Sequence, residues 1–414
     1  MKENNLPGLF RRLNMVQALS SHPNLVRRLC YFCLSFLLTI SFGLPVFSFA
    51  LPVADHNKRA ATEYSYKENT PEGILRARIT EARNLQSLGF YRRALLLLTD
   101  LNPSLAEQAD SPLKVSGLTL MGDLQRTVGE LAASQATLEN GLAIASTLSL
   151  PEHTATLHLS LGHTLESLGS PEAALSQYTM AADLATMPHL QLRSHLSLLH
   201  LQPTNTALYP KIETLLASLP ADRITLNARL DLAQLQLADA AVDRNTIADS
   251  LAIALQQAQT LEDSRAESYA LGILGKLYLQ QQQFTDAQDV LQRALIVSEA
   301  LDAPDISYQW QWQLAQLFRA RGDTKKALTY YENATQNLKL LRGNLIAIAP
   351  DLRFSFREQI EPVYREWVDL LLEPSTVSPE QKTVSLIKAR DAIESLQLAE
   401  LENFFREPCV PLST

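Results

Sequence analysis

Histidine, the commonest metal ligand in proteins, is concentrated in one part of this chain. Six of the eight histidines lie there: His153, His158, His163, His189, His195 and His200. His158 and His163 are five residues apart, as are His195 and His200. On a helix, that spacing turns the two rings about 140° away from each other. Because no His-Glu-x-x-His motif occurs either, we expect these histidines to line a surface or a groove and to bind no metal ion.

The three cysteines offer no evident nucleophile. Cys30 and Cys33 have the Cys-x-x-Cys spacing of redox and metal sites, but they lie inside a strongly apolar run. Cys409 is isolated, and no histidine follows His200 in the sequence. A reactive thiol needs a nearby base or a positive environment, so we predict no catalytic residue. Phosphate-binding and dinucleotide-binding glycine motifs are also missing from the sequence, and we expect a protein that is not an enzyme and needs no cofactor.

The composition predicts an all-α protein. The 414 residues are 46% hydrophobic and 19% charged, and only 14 of them are glycine. Alanine, leucine and glutamine are abundant, and such side chains lose little freedom in a helix. The formal net charge of −8 argues against a nucleic-acid partner, because phosphate binding needs a concentrated basic surface.

The amino-terminal apolar run, residues 29–50, has the features of a secretory signal. Two arginines precede it, and Ser48-Phe49-Ala50 ends it with small residues at the positions that a signal peptidase reads. We predict a signal peptide over residues 1–50, cleaved after Ala50, with Met1 or Met15 as the start and the mature protein periplasmic or extracellular. A retained membrane anchor is the alternative, although the run is only marginally long enough to span a bilayer.

A pattern of small and aromatic residues returns every forty residues. Two of its clearest copies are Gly275, Tyr278, Phe284, Ala287, Leu291 and Ala294, and Ala315, Phe318, Ala327, Tyr331 and Ala334. Self-similarity at such a period indicates a solenoid, in which each unit packs only against its neighbours. We expect a polar linker over residues 51–73, about seven repeats over 74–341, two of them degenerate, and a helical extension over 342–414.

These repeats resemble tetratricopeptide repeats, in which a small residue, an aromatic residue and two alanines follow in the same order. The resemblance implies helical hairpins stacked into a right-handed superhelix, whose first helices line a concave groove for a peptide or protein partner. Trp310 and Trp312 form either a ligand platform or part of the core, and the resemblance assigns Trp312 to the groove. The residues that it implies for the groove are Arg83, Gln86, Arg126, His163, Glu166, Lys276, Gln280, Trp312, Gln316 and Arg319.

The sequence changes character after Leu341. Residues 354–359 and 361–366, and the segment from Ala389 to Glu407, resemble the helical lead-in of secreted tetratricopeptide proteins that carry a CHAT domain and are typical of cyanobacteria. In that family the lead-in precedes a caspase-like peptidase domain with a catalytic histidine and cysteine. The sequence stops at Thr414, before that domain is expected, so no catalytic pair is transferred.

A long helix is expected in this segment, from Pro379 to about Phe405. Its predicted apolar face consists of Leu386, Ile387, Ile393, Leu396, Leu398 and Leu401.

Three hypotheses follow for the function. The first is an exported interaction scaffold that binds peptide or protein partners in the groove and has no activity of its own. The second is the substrate-recruiting part of a caspase-like peptidase that has been cut short. The third is a purely structural envelope protein, which would show no saturable peptide binding.

Overall fold

The computed structural model describes residues 70–87, 90–100, 109–341, 360–373 and 379–406. All of them belong to one compact unit, Ser65–Thr414. The predicted signal peptide, almost all of the predicted linker, the three cysteines and the phrase at residues 354–359 lie outside the described residues.

The described residues form sixteen α-helices in eight consecutive pairs and contain no β-strand. The pairs are α1 (Pro71–Ser87) and α2 (Tyr91–Thr99), α3 (Pro112–Val128) and α4 (Leu131–Thr147), α5 (Pro151–Ser167) and α6 (Pro171–Leu184), α7 (Pro188–Leu201) and α8 (Tyr209–Ser218), α9 (Arg223–Ala238) and α10 (Arg244–Thr260), α11 (Ser264–Gln280) and α12 (Phe284–Ala300), α13 (Pro304–Ala320) and α14 (Thr324–Leu341), and α15 (Glu361–Leu372) and α16 (Pro379–Arg406). The predicted fold class, an all-α solenoid of tetratricopeptide type with a helical extension, is confirmed. None of the described helices is both long and apolar enough to cross a bilayer.

Helix length explains the forty-residue period. Helices α11, α12 and α13 each have 17 residues, and connections of three residues separate them. Two such helices and two connections complete one step, which is longer than the usual step of about 34 residues. The middle residue of each connection adopts the left-handed conformation, with φ of 59° at Gln282 and 49° at Asp302. Glycine occupies this place at Gly322, where it avoids the cost that a side chain incurs there.

Small residues set the packing within each pair. A Cβ atom at Gly122 would lie 2.5 Å from Leu138 Cγ, and one at Gly162 would lie 2.4 Å from Tyr178 Cε1. Gly275 has the same relation to Leu291, and in each case the large residue follows the glycine by sixteen positions. Any larger side chain at the glycine would push the helix axes apart, so these positions fix the register of the pair.

Neighbouring pairs meet through similar contacts. Gly272 of α11 lies against the ring of Trp310 from α13, where an added Cβ would come within 2.2 Å of the ring carbons. Trp310 is 2% exposed, so this tryptophan packs in the core. Buried apolar clusters follow one another along the stack and are shared by adjacent pairs. Each pair thus depends on its neighbours to cover its apolar surface.

The last pair, α15 and α16, continues the stack. Val363, Tyr364 and Trp367 of α15 are buried in the same core as residues of α13 and α14. Lys388 of α16 contacts Glu332 of α14, with 2.8 Å between Lys388 Nζ and Glu332 Oε2. The helical extension therefore packs as a further helical pair on the end of the repeats.

The prediction for the apolar face of α16 was wrong at four positions. Leu386, Ile387, Ile393 and Leu398 are exposed, and Leu396 is buried. The buried face of α16 consists of Leu396 with Ala389 and Ala392, which are spaced as one helical stripe. Because that stripe is narrow and rich in alanine, the large residues beside it stay in contact with solvent. The side chain of Leu401 lies outside the described residues.

Candidate peptide-binding groove

The first helices of successive pairs lie on the inner side of the stack. From α1 to α13, each first helix contacts the first helix of the next pair, whereas no comparable contact joins successive second helices in the described part of the chain. In a curved stack, the row of helices that approach each other most closely lies on the concave side. The first helices therefore form the concave surface, as they do in solenoids with a binding groove.

The ten residues predicted to line the groove are all at least partly accessible. Arg83, Lys276 and Gln280 are exposed, and the other seven are half-buried. They are distributed over α1, α3, α5, α11 and α13. We call the surface formed by these ten residues the inner face. Their role in binding a partner remains a prediction.

On α5, two inner-face residues take part in contacts that Gly162 makes possible. The Tyr178 ring lies directly over Gly162, so its hydroxyl reaches across the helix and donates to Glu166 Oε2 at 2.7 Å. The same ring meets His163 edge-on, with 5.3 Å between the ring centroids. His163 Nε2 is also 3.0 Å from Ser197 Oγ of α7 and so links two successive first helices.

On α13, three inner-face residues bind carboxylates of the chain itself. Trp312 Nε1 donates to Glu366 Oε2 at 2.7 Å, and Gln316 Nε2 lies 3.1 Å from both oxygens of Glu366. Arg319 forms an ion pair with Glu373 at 3.1 Å. Glu366 is on α15 and Glu373 directly follows that helix, so the carboxyl-terminal end of the inner face holds two acidic side chains.

A tyrosine completes the Glu366 site. Tyr331 follows Ala315 by sixteen residues, as Tyr178 follows Gly162, and its hydroxyl donates to Glu366 Oε2 at 2.8 Å. Burial, together with the negative charge of Glu366, raises the pKa of Tyr331 far above its ordinary value. The hydroxyl therefore keeps its proton and acts as a donor. Three neutral donors thus surround one carboxylate and stabilise its charge.

Lys276 of α11 lies in a concave environment. Its side chain is exposed, yet desolvation by the surrounding protein lowers the pKa of its amine. Exposure and a lowered pKa occur together when a side chain lies in a concave surface, where protein surrounds it on several sides and solvent reaches its end. No hydrogen bond or ion pair joins Lys276 to any described residue.

One edge of the stack carries a series of ion pairs that the sequence analysis missed. Arg223 at the start of α9 is 3.3 Å from Asp263 at the start of α11. Arg265 of α11 pairs in the same way with Asp305 of α13. Between α7 and α9, His189 Nε2 lies 3.7 Å from Asp222 Oδ2. In each arginine pair the two residues are forty positions apart, which equals the period of the repeat. That spacing could have indicated the pairs from the sequence.

These pairs hold the amino-terminal ends of successive first helices together. Asp222 and Asp263 also cap their own helices, because each accepts a hydrogen bond from a backbone N–H in the first turn. The backbone N–H of Thr225, with a smaller contribution from His189, lowers the pKa of Asp222. The edge therefore helps to keep the residues of the inner face in register from one pair to the next.

The described residues contain no group of side chains arranged to hold a metal ion. Two of the histidines are engaged by neighbouring helices, His158 with Gln177 at 2.6 Å and His163 with Ser197. His195 is half-buried, and its Nδ1 atom is buried without a hydrogen-bond partner. The pKa of His195 is lowered mainly by burial and to a smaller extent by the positive charge of Lys211.

No protein-family model matches the sequence, and no curated protein is significantly similar to it. Among solved structures, the chain is similar to Rap protein complexed with competence and sporulation factor, with 13% identity, a TM-score of 0.47, and coverage of 79% of this chain and 99% of that one. It is also similar to the APC/C heterotetramer Cut9–Hcn1, with 15% identity and a TM-score of 0.42. This match covers 70% of the present chain and 58% of the other. A third similar structure is Acl4, an assembly chaperone of RpL4, with 14% identity and a TM-score of 0.35. This match covers 70% of the present chain and 96% of the other.

Proposed function

We propose that this protein is an interaction scaffold that binds an extended segment of a partner protein along the inner face. The observation that carries the proposal is the alignment of accessible polar side chains on first helices that contact one another. A row of this kind offers hydrogen-bonding groups at regular intervals, which suits an extended peptide. The polar character of the inner face argues against an apolar partner helix as the preferred occupant.

A selection experiment on the full chain tests this proposal. A random peptide library is passed over the immobilised protein, and the recovered peptides are titrated by fluorescence anisotropy. Hydrogen exchange with a bound peptide then shows which helices become protected. The proposal predicts saturable binding with protection on the first helices. Lys276→Glu on the inner face of α11 should change the affinity, whereas Arg293→Glu, which alters an exposed residue of α12, should not. A library that yields no saturable binder would contradict the proposal.

We propose further that the scaffold acts outside the cytoplasm and catalyses no reaction. Export is supported by the apolar run and the small residues that end at Ala50. Amino-terminal sequencing of the protein purified from its host tests this directly, because the proposal predicts a mature chain that begins at Leu51.

The absence of activity predicts no cleavage of a peptide library. Cleavage that Cys409→Ala abolishes would refute it.

A second candidate function is substrate recruitment for a caspase-like peptidase domain. It is supported by the resemblance of the last seventy residues to the lead-in of CHAT-domain proteins. The reading frames downstream of the codon for Thr414 distinguish the two candidates. An encoded peptidase-like domain with a histidine and a cysteine would favour recruitment, and its absence would favour the independent scaffold.

A further inference from the structure

The inner face is basic although the chain as a whole is acidic. Of its ten residues, four are arginine or lysine, namely Arg83, Arg126, Lys276 and Arg319, and one is acidic, Glu166; Glu366 and Glu373 also reach this surface. The formal net charge of the sequence is −8, so a random choice of charged residues would favour acidic ones. The ten residues therefore carry a net positive charge, which favours negatively charged partners.

Three of the basic side chains have no partner within the described chain. Neither Arg83 of α1 nor Lys276 of α11 forms a hydrogen bond or an ion pair there. Arg126 of α3 likewise forms none, and its Nε atom is buried. Carboxylates of a ligand would supply these three cations with charge-assisted hydrogen bonds. Glu166, the acidic member of the ten, accepts the hydroxyl of Tyr178.

The chain itself provides an example of a carboxylate bound on this surface. At the carboxyl-terminal end, Arg319 pairs with Glu373, and Trp312 and Gln316 donate to Glu366. There, acidic side chains supplied by α15 and the residue after it occupy the inner face. Arg83, Arg126 and Lys276 present the same kind of donors on first helices, and no acidic side chain of the described residues pairs with them.

We propose that the inner face binds a peptide segment rich in aspartate and glutamate, whose carboxylates pair with Arg83, Arg126 and Lys276. This inference rests on the proposed function and specifies the chemistry of the partner. Bidentate pairing with the two arginines would favour side-chain carboxylates at intervals along an extended backbone. Salt should weaken the binding, because the cations remain partly accessible to solvent.

The test measures the affinity of the full chain for three labelled peptides, in which serine alternates with glutamate, glutamine or lysine. The proposal predicts that the glutamate peptide binds more tightly than the other two and loses affinity as salt is added. The triple variant Arg83→Gln, Arg126→Gln and Lys276→Gln should weaken its binding about tenfold or more. The single variant Lys276→Gln, at an exposed site, should weaken it measurably with the fold intact.

A matched control removes the same charge from the other side of the stack. Arg92, Arg293 and Lys325 are exposed on the second helices α2, α12 and α14, and replacing all three with glutamine should change the affinity less than twofold. Equal loss in both triple variants would overturn the inference, as would tighter binding of a single-stranded DNA oligonucleotide. If the peptide library yields binders that are neutral or basic, the scaffold function stands and the acidic partner is wrong. If the library yields no binder, the scaffold function itself fails.

Discussion

Replacement of Gly272 by alanine tests the close packing that joins two neighbouring pairs. A Cβ atom at this position would lie 2.2 Å from two ring carbons of Trp310. The ring cannot easily move away, because it is buried and its Nε1 donates to Ser268 Oγ at 2.9 Å. Tyr269 also meets the ring edge-on, with 5.8 Å between the centroids. The added methyl group therefore has to displace the indole or separate α11 from α13.

Three contributions decide the size of the effect. Alanine stabilises a helix interior by about 1 kcal/mol relative to glycine. Overpacking a core typically costs about 1–3 kcal/mol, and loss of the hydrogen bond from Trp310 to Ser268 costs about 1 kcal/mol more. The sum predicts that Gly272→Ala lowers the free energy of unfolding by roughly 1–3 kcal/mol.

A double-mutant cycle measured by urea denaturation and circular dichroism checks this prediction. With Trp310→Leu in the background, Gly272→Ala should become neutral or stabilising by up to about 1 kcal/mol, because the helix propensity remains and the clash is gone. Gly141→Ala is the control, since its Cβ would meet the flexible end of Leu157 at 2.9 Å. If Gly272→Ala leaves the stability unchanged in both backgrounds, the proposed contact between the pairs does not exist.

Three further predictions concern a connection, a buried carboxylate and a histidine. Gln282→Gly should raise the free energy of unfolding by about 0.5–1 kcal/mol in urea titrations, since φ at Gln282 is 59°; a decrease would contradict the left-handed connection. Glu366→Ala leaves three donors without their acceptor and should cost about 1–3 kcal/mol, with faster hydrogen exchange first in α15; unchanged exchange there would refute the role of Glu366. The pKa of His195 is lowered in the folded state, so its contribution to stability is present above the unfolded pKa of about 6.5 and is lost as the pH falls. His195→Gln should therefore flatten the decline of the thermal midpoint below pH 6.5, and an equally steep decline would exclude this histidine as its cause.

The fold could be predicted because its packing repeats along the sequence. Gly162 and Gly275 fall at matching places, and each accepts a large residue sixteen positions later. Such contacts span only a few turns and recur every forty residues, so they appear as a periodic pattern. The helix boundaries were less accurate: α1 begins at Pro71, inside the segment that was expected to be linker up to Gly73.

Other features do not repeat, and the sequence alone could not reveal them. The bonds from Trp312, Gln316 and Tyr331 to Glu366 join residues separated by 35 to 54 positions, and no other helical pair in the described part of the chain repeats this set. The exposed leucines and isoleucines of α16 show the same limit, because apolar periodicity indicates which residues share a face and not whether a neighbour covers it. The arginine–aspartate series along the edge was detectable, since its spacing equals the repeat, but single charges are too common to stand out.

Small-angle X-ray scattering tests the central claim that helical pairs stack into a solenoid with an open inner face. A compact globule of about 350 residues, the length of the unit Ser65–Thr414, would have a radius of gyration of roughly 20 Å. Because each pair contacts only its neighbours, the solenoid predicts a clearly larger radius and a distance distribution with a long tail. A symmetric distribution with a radius near 20 Å would contradict the stacked architecture and the groove that depends on it.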